Sequence, residues 1–249
     1  LNGERWDPIG STGLFKGTFD GNGHQIEGLF VYAEGKASAG LFATNRGLIK
    51  NLTVVNSEVY GHYKAAVIVA DGLCSRVEGC TVDNCVVVST PYNKDDANNV
   101  GAITGYLSAE PTAYVKNCTV TNTKVTAYRK VGGIVGAANG ASEVSGNTVK
   151  NVTITADQTA EYKEFEATEA GAIVGYSSGA GKVSNCTNNG DITITIPNIT
   201  GSSDYFGGVV GNTSMSAAAN IAVENCINNG NITVTVEGTS KNMYLGGIS

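Results

Sequence analysis

Three segments of the chain carry side chains that could do chemistry. Residues 20–24 read Asp-Gly-Asn-Gly-His, a set of groups that can coordinate a metal or transfer a proton. Carboxylates also lie close together in the sequence at Asp95 and Asp96 and in the acidic segment 161–169. Such groups could bind calcium or act in acid-base catalysis. Glycine-rich turns and solvated loops use the same residue types structurally. We therefore predict no catalytic residue, metal site or other cofactor in this chain.

Six cysteines raise the question of disulfide bonds. Four of them occupy the same position of an internal repeat: Cys80, Cys118, Cys186 and Cys226. Leu52 and Asn147 occupy that position in the other copies, which is typical of an inward position filled by small or apolar side chains. We expect these four thiols to be buried and reduced. If any pair bonds, we expect it to be Cys74 with Cys85.

Tyrosines recur in the variable segments between repeats, one in each segment: Tyr63, Tyr92, Tyr128, Tyr162, Tyr205 and Tyr244. If these segments lie at one edge of a repetitive fold, the rings form a row that could stack on sugars or on a protein partner. The alternative is that each ring packs over its own repeat with its hydroxyl group in water. We predict that the six tyrosines are the ligand-binding residues.

Two short phrases recur along the chain and must position these side chains. The first reads apolar, polar, Asn or Gly, small, then usually Thr, and its copies begin at Ile49, Val77, Val115, Val144, Val183 and Val223. The second is an apolar segment flanked by Gly or Ala, with copies beginning at Ala39, Ala66, Gly101, Gly132, Gly171, Gly207 and Gly246. We interpret each copy of the second phrase as one strand.

A third segment and a bend complete the repeat. Residues 191–196 alternate between polar and apolar side chains, which predicts a strand with one buried face. Four residues after the cysteine position, only Asn or Gly occurs: Asn56, Asn84, Asn122, Asn151, Gly190 and Gly230. Asn and Gly most readily adopt positive φ, so we expect a left-handed residue at this bend in every repeat.

Strands of constant length joined by loops of variable length are typical of a solenoid. We predict an all-β fold, a right-handed parallel β-helix of about six to seven coils, in which identical positions stack in ladders. A strict hexapeptide period or a leucine-rich consensus, which would indicate other solenoids, is absent. We expect one domain over residues 1–249, with an N-terminal coil at about 1–38 and a last coil cut at 249, as in a fragment of a longer protein.

The composition disfavours some classes of function. A formal net charge of -6 and a pI near 4.9 disfavour binding to nucleic acid or to anionic membranes. With 41% hydrophobic residues in a periodic arrangement, the chain is not a disordered segment. We expect a monomer that neither binds nucleic acid nor inserts into a membrane.

Residues 6–10 (Trp-Asp-Pro-Ile-Gly), 15–29 (Phe-Lys-Gly-Thr-Phe-Asp-Gly-Asn-Gly-His-Gln-Ile-Glu-Gly-Leu) and 39–52 carry a family resemblance. They resemble the GLUG-repeat proteins of bacterial surfaces, which include adhesin-like proteins and non-catalytic regions of IgA-protease-type metallopeptidases. The resemblance is strongest over residues 6–60. It implies a β-helix at an extracellular location but no activity, because His24 and His62 do not form the His-Glu-x-x-His zinc motif.

We therefore expect a non-catalytic, adhesin-like module that binds glycan or a host protein through its loop edge. The first alternative is an accessory region of an IgA-protease-like surface metallopeptidase. The second is a polysaccharide lyase or glycoside hydrolase.

Overall fold

Short parallel strands, stacked coil upon coil, form the structure. The computed structural model describes residues 3–35, 37–91, 98–108, 112–156, 168–179, 181–200, 203–214, 222–239 and 242–248, and of residues 196–200, 238 and 239 the backbone alone. Strands fall into five sheets, and each strand pairs in parallel with its counterparts in the neighbouring coils. The predicted parallel β-helix is therefore confirmed.

The first three sheets each contain seven strands within the described residues. Sheet 1 consists of β1 (Thr18–Asp20), β5 (Leu48–Lys50), β10 (Arg76–Glu78), β15 (Tyr114–Lys116), β20 (Glu143–Ser145), β25 (Lys182–Ser184) and β30 (Ala222–Glu224). Sheet 2 consists of β2 (Gln25–Glu27), β6 (Thr53–Val55), β11 (Thr81–Asp83), β16 (Thr119–Thr121), β21 (Thr148–Lys150), β26 (Thr187–Asn188) and β31 (Ile227–Asn228). Sheet 3 consists of β3 (Phe30–Tyr32), β7 (Glu58–Gly61), β12 (Val86–Ser89), β17 (Lys124–Ala127), β22 (Thr153–Ala156), β27 (Ile192–Thr200) and β32 (Ile232–Thr239).

The other two sheets each contain six strands in the described part of the chain. Sheet 4 consists of β8 (Lys64–Ala65), β13 (Asn99–Gly101), β18 (Lys130–Gly132), β23 (Glu169–Gly171), β28 (Ser203–Gly207) and β33 (Asn242–Gly246). Sheet 5 consists of β4 (Phe42–Asn45), β9 (Val69–Gly72), β14 (Thr104–Leu107), β19 (Val135–Asn139), β24 (Val174–Ser178) and β29 (Val210–Ser214). We number the coils from β1–β4 (coil 1) and β5–β9 (coil 2) onward, so that coil 7 begins at β30.

The second sequence phrase is a corner between two strands, so its interpretation as one strand was wrong. In coil 4, β18 ends at Gly132 and β19 begins at Val135. The segment is Gly-rich because sheets 4 and 5 approach each other closely at this corner. A Cβ atom on Gly175 would lie 2.6 Å from the backbone nitrogen of Val131 and 2.7 Å from the carbonyl oxygen of Gly136. Glycine at this position therefore lets the two sheets touch.

Alternation along the strands builds the core, as the sequence predicts. In β22, Ile154 is buried while Thr153 is exposed, and Ile194 of the next coil stacks on Ile154 in register. Burying a side chain of this size stabilises the fold by roughly 1.5–3 kcal/mol. At the N-terminal end, the ring of Phe42 packs against Phe15 and Phe19 at centroid distances of 5.0 and 5.4 Å.

The predicted left-handed bend is present in only some coils. Its φ angle is +50° at Asn56, Asn84 and Asn122 and +55° at Asn151. Gly190 and Gly230 do not have positive φ. Gly190 is required for space instead, because a Cβ atom there would collide with the backbone nitrogen of Asn151.

The first phrase contains a second left-handed bend, which was not predicted from the sequence. Its third residue has a φ angle between +52° and +66° in all six copies: Asn51, Gly79, Asn117, Gly146, Asn185 and Asn225. The interchange of Asn with Gly at this position was the available signal.

We expect Asn122→Val to lower the free energy of unfolding by about 1–2 kcal/mol, because a β-branched residue is strained at positive φ. Asn122→Gly should cost much less, since glycine adopts this conformation freely. Urea denaturation of both variants measures the difference. Equal losses of stability would contradict the role of the bend.

The cysteine ladder is confirmed, and all six thiols are free. Cys80, Cys118 and Cys186 are fully buried, and Cys226 is partly buried. Cys85 lies outside this ladder and directly follows the bend at Asn84. Burial raises the pKa of its thiol to about 11, and it does not bond to Cys74.

Asn147 takes the cysteine position in coil 5 and is fully buried. Its side-chain oxygen accepts a 2.9 Å hydrogen bond from the backbone N–H of Cys118, and its amide nitrogen donates to the carbonyl of Val115 at 2.9 Å. Both polar ends of the amide are thereby satisfied inside the core.

Candidate functional site

The Asp20 loop is a hydrogen-bonded turn. The carboxylate of Asp20 accepts hydrogen bonds from the backbone N–H of Asn22 at 2.9 Å and from the side-chain amide of Asn51 at 3.1 Å. Lys50 lies 3.3 Å from its other oxygen. These contacts, led by the Asn22 N–H, lower the pKa of Asp20. The loop therefore uses its carboxylate to hold the turn.

Of the other acidic residues that could bind calcium or catalyse a reaction, the structure describes Glu169 alone. Asp95, Asp96 and residues 161–167 lie outside the described residues. Glu169 is described and is only 5% exposed, and one of its carboxylate oxygens accepts a hydrogen bond from the amide of Asn212 at 3.3 Å. Within the described ranges, no three His, Cys, Asp or Glu side chains gather in a way that could hold a metal ion.

Of the predicted tyrosine row, the structure describes Tyr63, Tyr128, Tyr205 and Tyr244, and of these four Tyr205 and Tyr244 share a register position. Tyr205 and Tyr244 stack on each other, with ring centroids 4.9 Å apart, in the register position that Lys64 and Lys130 fill in earlier coils. Tyr63 comes one residue before that position.

Tyr128 comes two residues before the same register position and is only 7% exposed. Tyr92 and Tyr162 lie outside the described residues. A ligand-binding role for these tyrosines stays a prediction.

Sheets 4 and 5 bring charged and aromatic groups together across their corner. The ammonium group of Lys64 lies 2.7 Å from the carboxylate of Asp71, and both side chains are nearly buried. The same ammonium lies 4.4 Å from the ring centroid of Tyr106 and 5.1 Å from that of Tyr63. Two coils further, Lys130 lies 3.9 Å from the ring centroid of Tyr176. This corner is filled by its own side chains, which indicates a structural role.

The outer face of sheet 3 carries aromatic side chains at its N-terminal end. We define the aromatic face as Phe30, Tyr32, Tyr60, Val86 and Val88, which share two register columns of coils 1–3. Tyr32 is 41% exposed, and the other four side chains are partly exposed. Large side chains gathered on an outer face differ from apolar residues scattered singly, and such patches mark binding sites.

Contacts within the aromatic face fix the orientation of its rings. The rings of Phe30 and Tyr60 lie 6.2 Å apart, and Tyr32 meets His62 edge to face at 6.5 Å. The Tyr60 hydroxyl donates a 3.0 Å hydrogen bond to Glu58. Burial, together with this carboxylate, raises the pKa of Tyr60.

Amide and carboxylate groups border the aromatic face along the Asn56 bend. Asn84 donates a 2.7 Å hydrogen bond to the side-chain oxygen of Asn56, and Asn56 donates to Glu27 at 2.8 Å. Two shallow depressions of about 220 and 410 Å³ open here, both lined by Asn56 and Glu58. Aromatic rings beside amide and carboxylate groups can stack on a sugar ring and hydrogen-bond its hydroxyls.

The aromatic face was not predicted from the sequence, because its residues are distant in the chain. Tyr32 and Tyr60 become neighbours through the register of β3 with β7. Period-two alternation in Phe30-Val31-Tyr32 and Val59-Tyr60 was the available signal, since it turns the aromatic side chains outward.

The comparisons with known proteins agree with this architecture. The family model described as the GLUG motif matches residues 166–195, which run from sheet 4 of coil 5 to sheet 3 of coil 6. This match lies outside residues 6–60, where the sequence resemblance is strongest. Comparison with curated proteins finds no match.

A solved structure shares the fold. It is the 1.30 Å crystal structure of a Bacteroides ovatus protein assigned as an immunoglobulin A1 protease. The alignment has a TM-score of 0.55 and 17% identity, and it covers 98% of this chain and 73% of the other. In the described part of this chain, no helix has the length and apolar character needed to span a bilayer. The chain is thus a parallel β-helix that carries the GLUG motif and is similar in fold to the Bacteroides ovatus protein.

Proposed function

We propose that this chain is a non-catalytic module of a secreted or surface-exposed bacterial protein, and that it binds glycan through the aromatic face. The observation that carries the proposal is the partly exposed cluster of Phe30, Tyr32 and Tyr60 beside the Asn56 bend. The GLUG motif supports the extracellular location, because the GLUG-repeat proteins that this sequence resembles are proteins of bacterial surfaces.

The chemistry of the face favours a sugar over a nucleic acid or an anionic lipid. The net charge of -6 opposes polyanions, whereas sugar rings stack their C–H groups on aromatic faces without needing charge. Asn56, Asn84 and Glu58 supply hydrogen-bond acceptors and donors at the border. We further propose that the module acts as a monomer.

We expect Tyr32→Ala to weaken glycan binding about tenfold, because it removes a stacking ring that is 41% exposed and has the guanidinium group of Arg5 5.9 Å from its centroid. The measurement is a screen on a glycan array followed by calorimetry with the strongest binder. Tyr244→Ala is the matched control, since Tyr244 is 50% exposed but lies on sheet 4.

The Tyr244→Ala variant distinguishes the aromatic face from the stacked tyrosines Tyr205 and Tyr244 of sheet 4. Loss of binding in Tyr244→Ala alone would move the site to the sheet 4 tyrosines. Binding to a host protein such as immunoglobulin A, with no glycan bound, would contradict the proposal.

The second candidate function is that of an accessory region in a surface peptidase. It is favoured by the fold similarity to the Bacteroides ovatus protein. In this role the module would hold the peptidase substrate, and the zinc motif would lie in another part of the full-length protein. Cleavage of immunoglobulin A by the full-length protein, abolished by mutation of that motif, would support it.

A further inference from the structure

The outer faces of sheets 1 and 3 differ sharply in charge. On sheet 1, eight of the fourteen outward positions carry charged residues. Pairs of these residues bridge neighbouring coils, as in Lys116 with Glu143 at 2.7 Å and Lys182 with Glu224 at 3.2 Å. This is the arrangement expected of a solvated face.

On sheet 3, only Glu58 and Lys124 are charged among the fourteen outward positions of the seven strands. At the N-terminal end, Arg5 pairs with Phe30, and its guanidinium group lies 5.9 Å from the ring centroid of Tyr32. Beyond the aromatic face, the same two columns carry threonine: Thr126, Thr153, Thr155, Thr193, Thr195, Thr233 and Thr235. Stacked coils are about 4.8 Å apart, so seven coils extend this nearly uncharged surface over about 29 Å along the solenoid axis.

We infer that the aromatic face and the threonine columns form one binding surface for a long, uncharged polysaccharide that lies along the solenoid axis. This inference rests on the proposed glycan binding and adds the class and the direction of the ligand. A neutral polymer matches a surface with so few charges, because few ionised groups lose their hydration when the polymer displaces water.

The two ends of the surface make different contacts with one chain. Phe30, Tyr32 and Tyr60 stack on sugar rings, whereas each threonine offers a hydroxyl group that both donates and accepts a hydrogen bond. Thr153 and Thr193 are exposed and stack in register, so the hydroxyl groups repeat once per coil along the polymer. Affinity should therefore increase with the number of coils that a ligand spans.

The test begins with an array of neutral and acidic polysaccharides. The neutral polysaccharide that binds best is then cut into a series from disaccharide to octasaccharide, and its affinity is measured by calorimetry. We expect affinity to rise through the series. Combining Thr153→Lys with Thr193→Glu places a cross-coil ion pair under the polymer and should weaken the octasaccharide about tenfold while leaving the disaccharide unchanged.

The control variant removes charges from the other face. Lys116→Thr with Glu143→Thr, on sheet 1, should bind like the parent protein, and circular dichroism confirms that both variants are folded. A preference for acidic polysaccharides, a flat dependence on length, or an unaffected octasaccharide in the Thr153/Thr193 variant would overturn the inference. Disaccharide binding that depends on Tyr32 would then still support the proposed function, whereas the absence of any glycan binding would refute both.

Discussion

Gly175→Ala is expected to destabilise the protein by about 3 kcal/mol or more, because the added methyl group meets backbone atoms that cannot move independently. Its Cβ would lie 2.6 Å from the nitrogen and 2.7 Å from the oxygen of Val131, in the strand of the neighbouring coil. Contacts this short require the two sheets to separate at the corner. The equivalent glycine in coil 3, Gly105, is equally confined, because three carbonyl oxygens lie within 2.9 Å of the position that a Cβ atom would take.

Thermal denaturation followed by circular dichroism measures this effect. For a chain of this size, a loss of 3 kcal/mol lowers Tm by about 6–12 °C. Gly13→Ala is the matched control, because no heavy atom lies within 4 Å of its Cβ position. Similar Tm values for Gly175→Ala and Gly13→Ala would show that the corner tolerates a side chain and that the close approach of the sheets is not required.

Lys64→Met is expected to cost about 3–5 kcal/mol, because it leaves the carboxylate of Asp71 nearly buried without its cation. The two side chains are 12% and 15% exposed and 2.7 Å apart. The second carboxylate oxygen of Asp71 is buried without a hydrogen bond. Asp71→Leu should be destabilising for the converse reason, since Lys64 would keep a nearly buried charge without its anion, and the rings of Tyr63 and Tyr106 would offset part of that cost.

The double variant Lys64→Met with Asp71→Leu should recover most of the stability, because apolar side chains of similar volume can replace a buried ion pair at little cost. Denaturation of the parent, both single variants and the double variant completes a double-mutant cycle. Additive losses would mean that the pair contributes no coupling and that each residue acts through packing alone.

The bend residues show which features can be predicted from the local sequence. Asn56, Asn84, Asn122 and Asn151 were assigned to a left-handed bend from residue type alone, and all four have positive φ. The same reasoning was wrong at Gly190, because glycine also occurs where the neighbouring coil leaves no space for a Cβ atom. A close approach depends on the adjacent coil, and the local sequence does not contain it.

The register of the predicted tyrosines depends on packing for a related reason. Counting one tyrosine per repeat treats the variable segments as equivalent, but their lengths differ, so equal order in the chain does not give equal register. Tyr63, Tyr128 and Tyr205 therefore occupy three different positions relative to sheet 4. Tyr32 and Tyr60, in contrast, belong to strands and stack in register.

The sequence alone determined the coil: its alternating strands, its inward cysteine position and its Asn bends follow from local preferences that every repeat expresses again. Only the tertiary structure decided which side chains meet across coils, including the partner of Lys64, the corner that Gly175 permits and the aromatic face around Tyr32. The physical reason is that backbone preference and the alternation of polar and apolar side chains belong to a residue and its near neighbours. The register between coils is set by the packing of the whole stack, which also absorbs loops of unequal length.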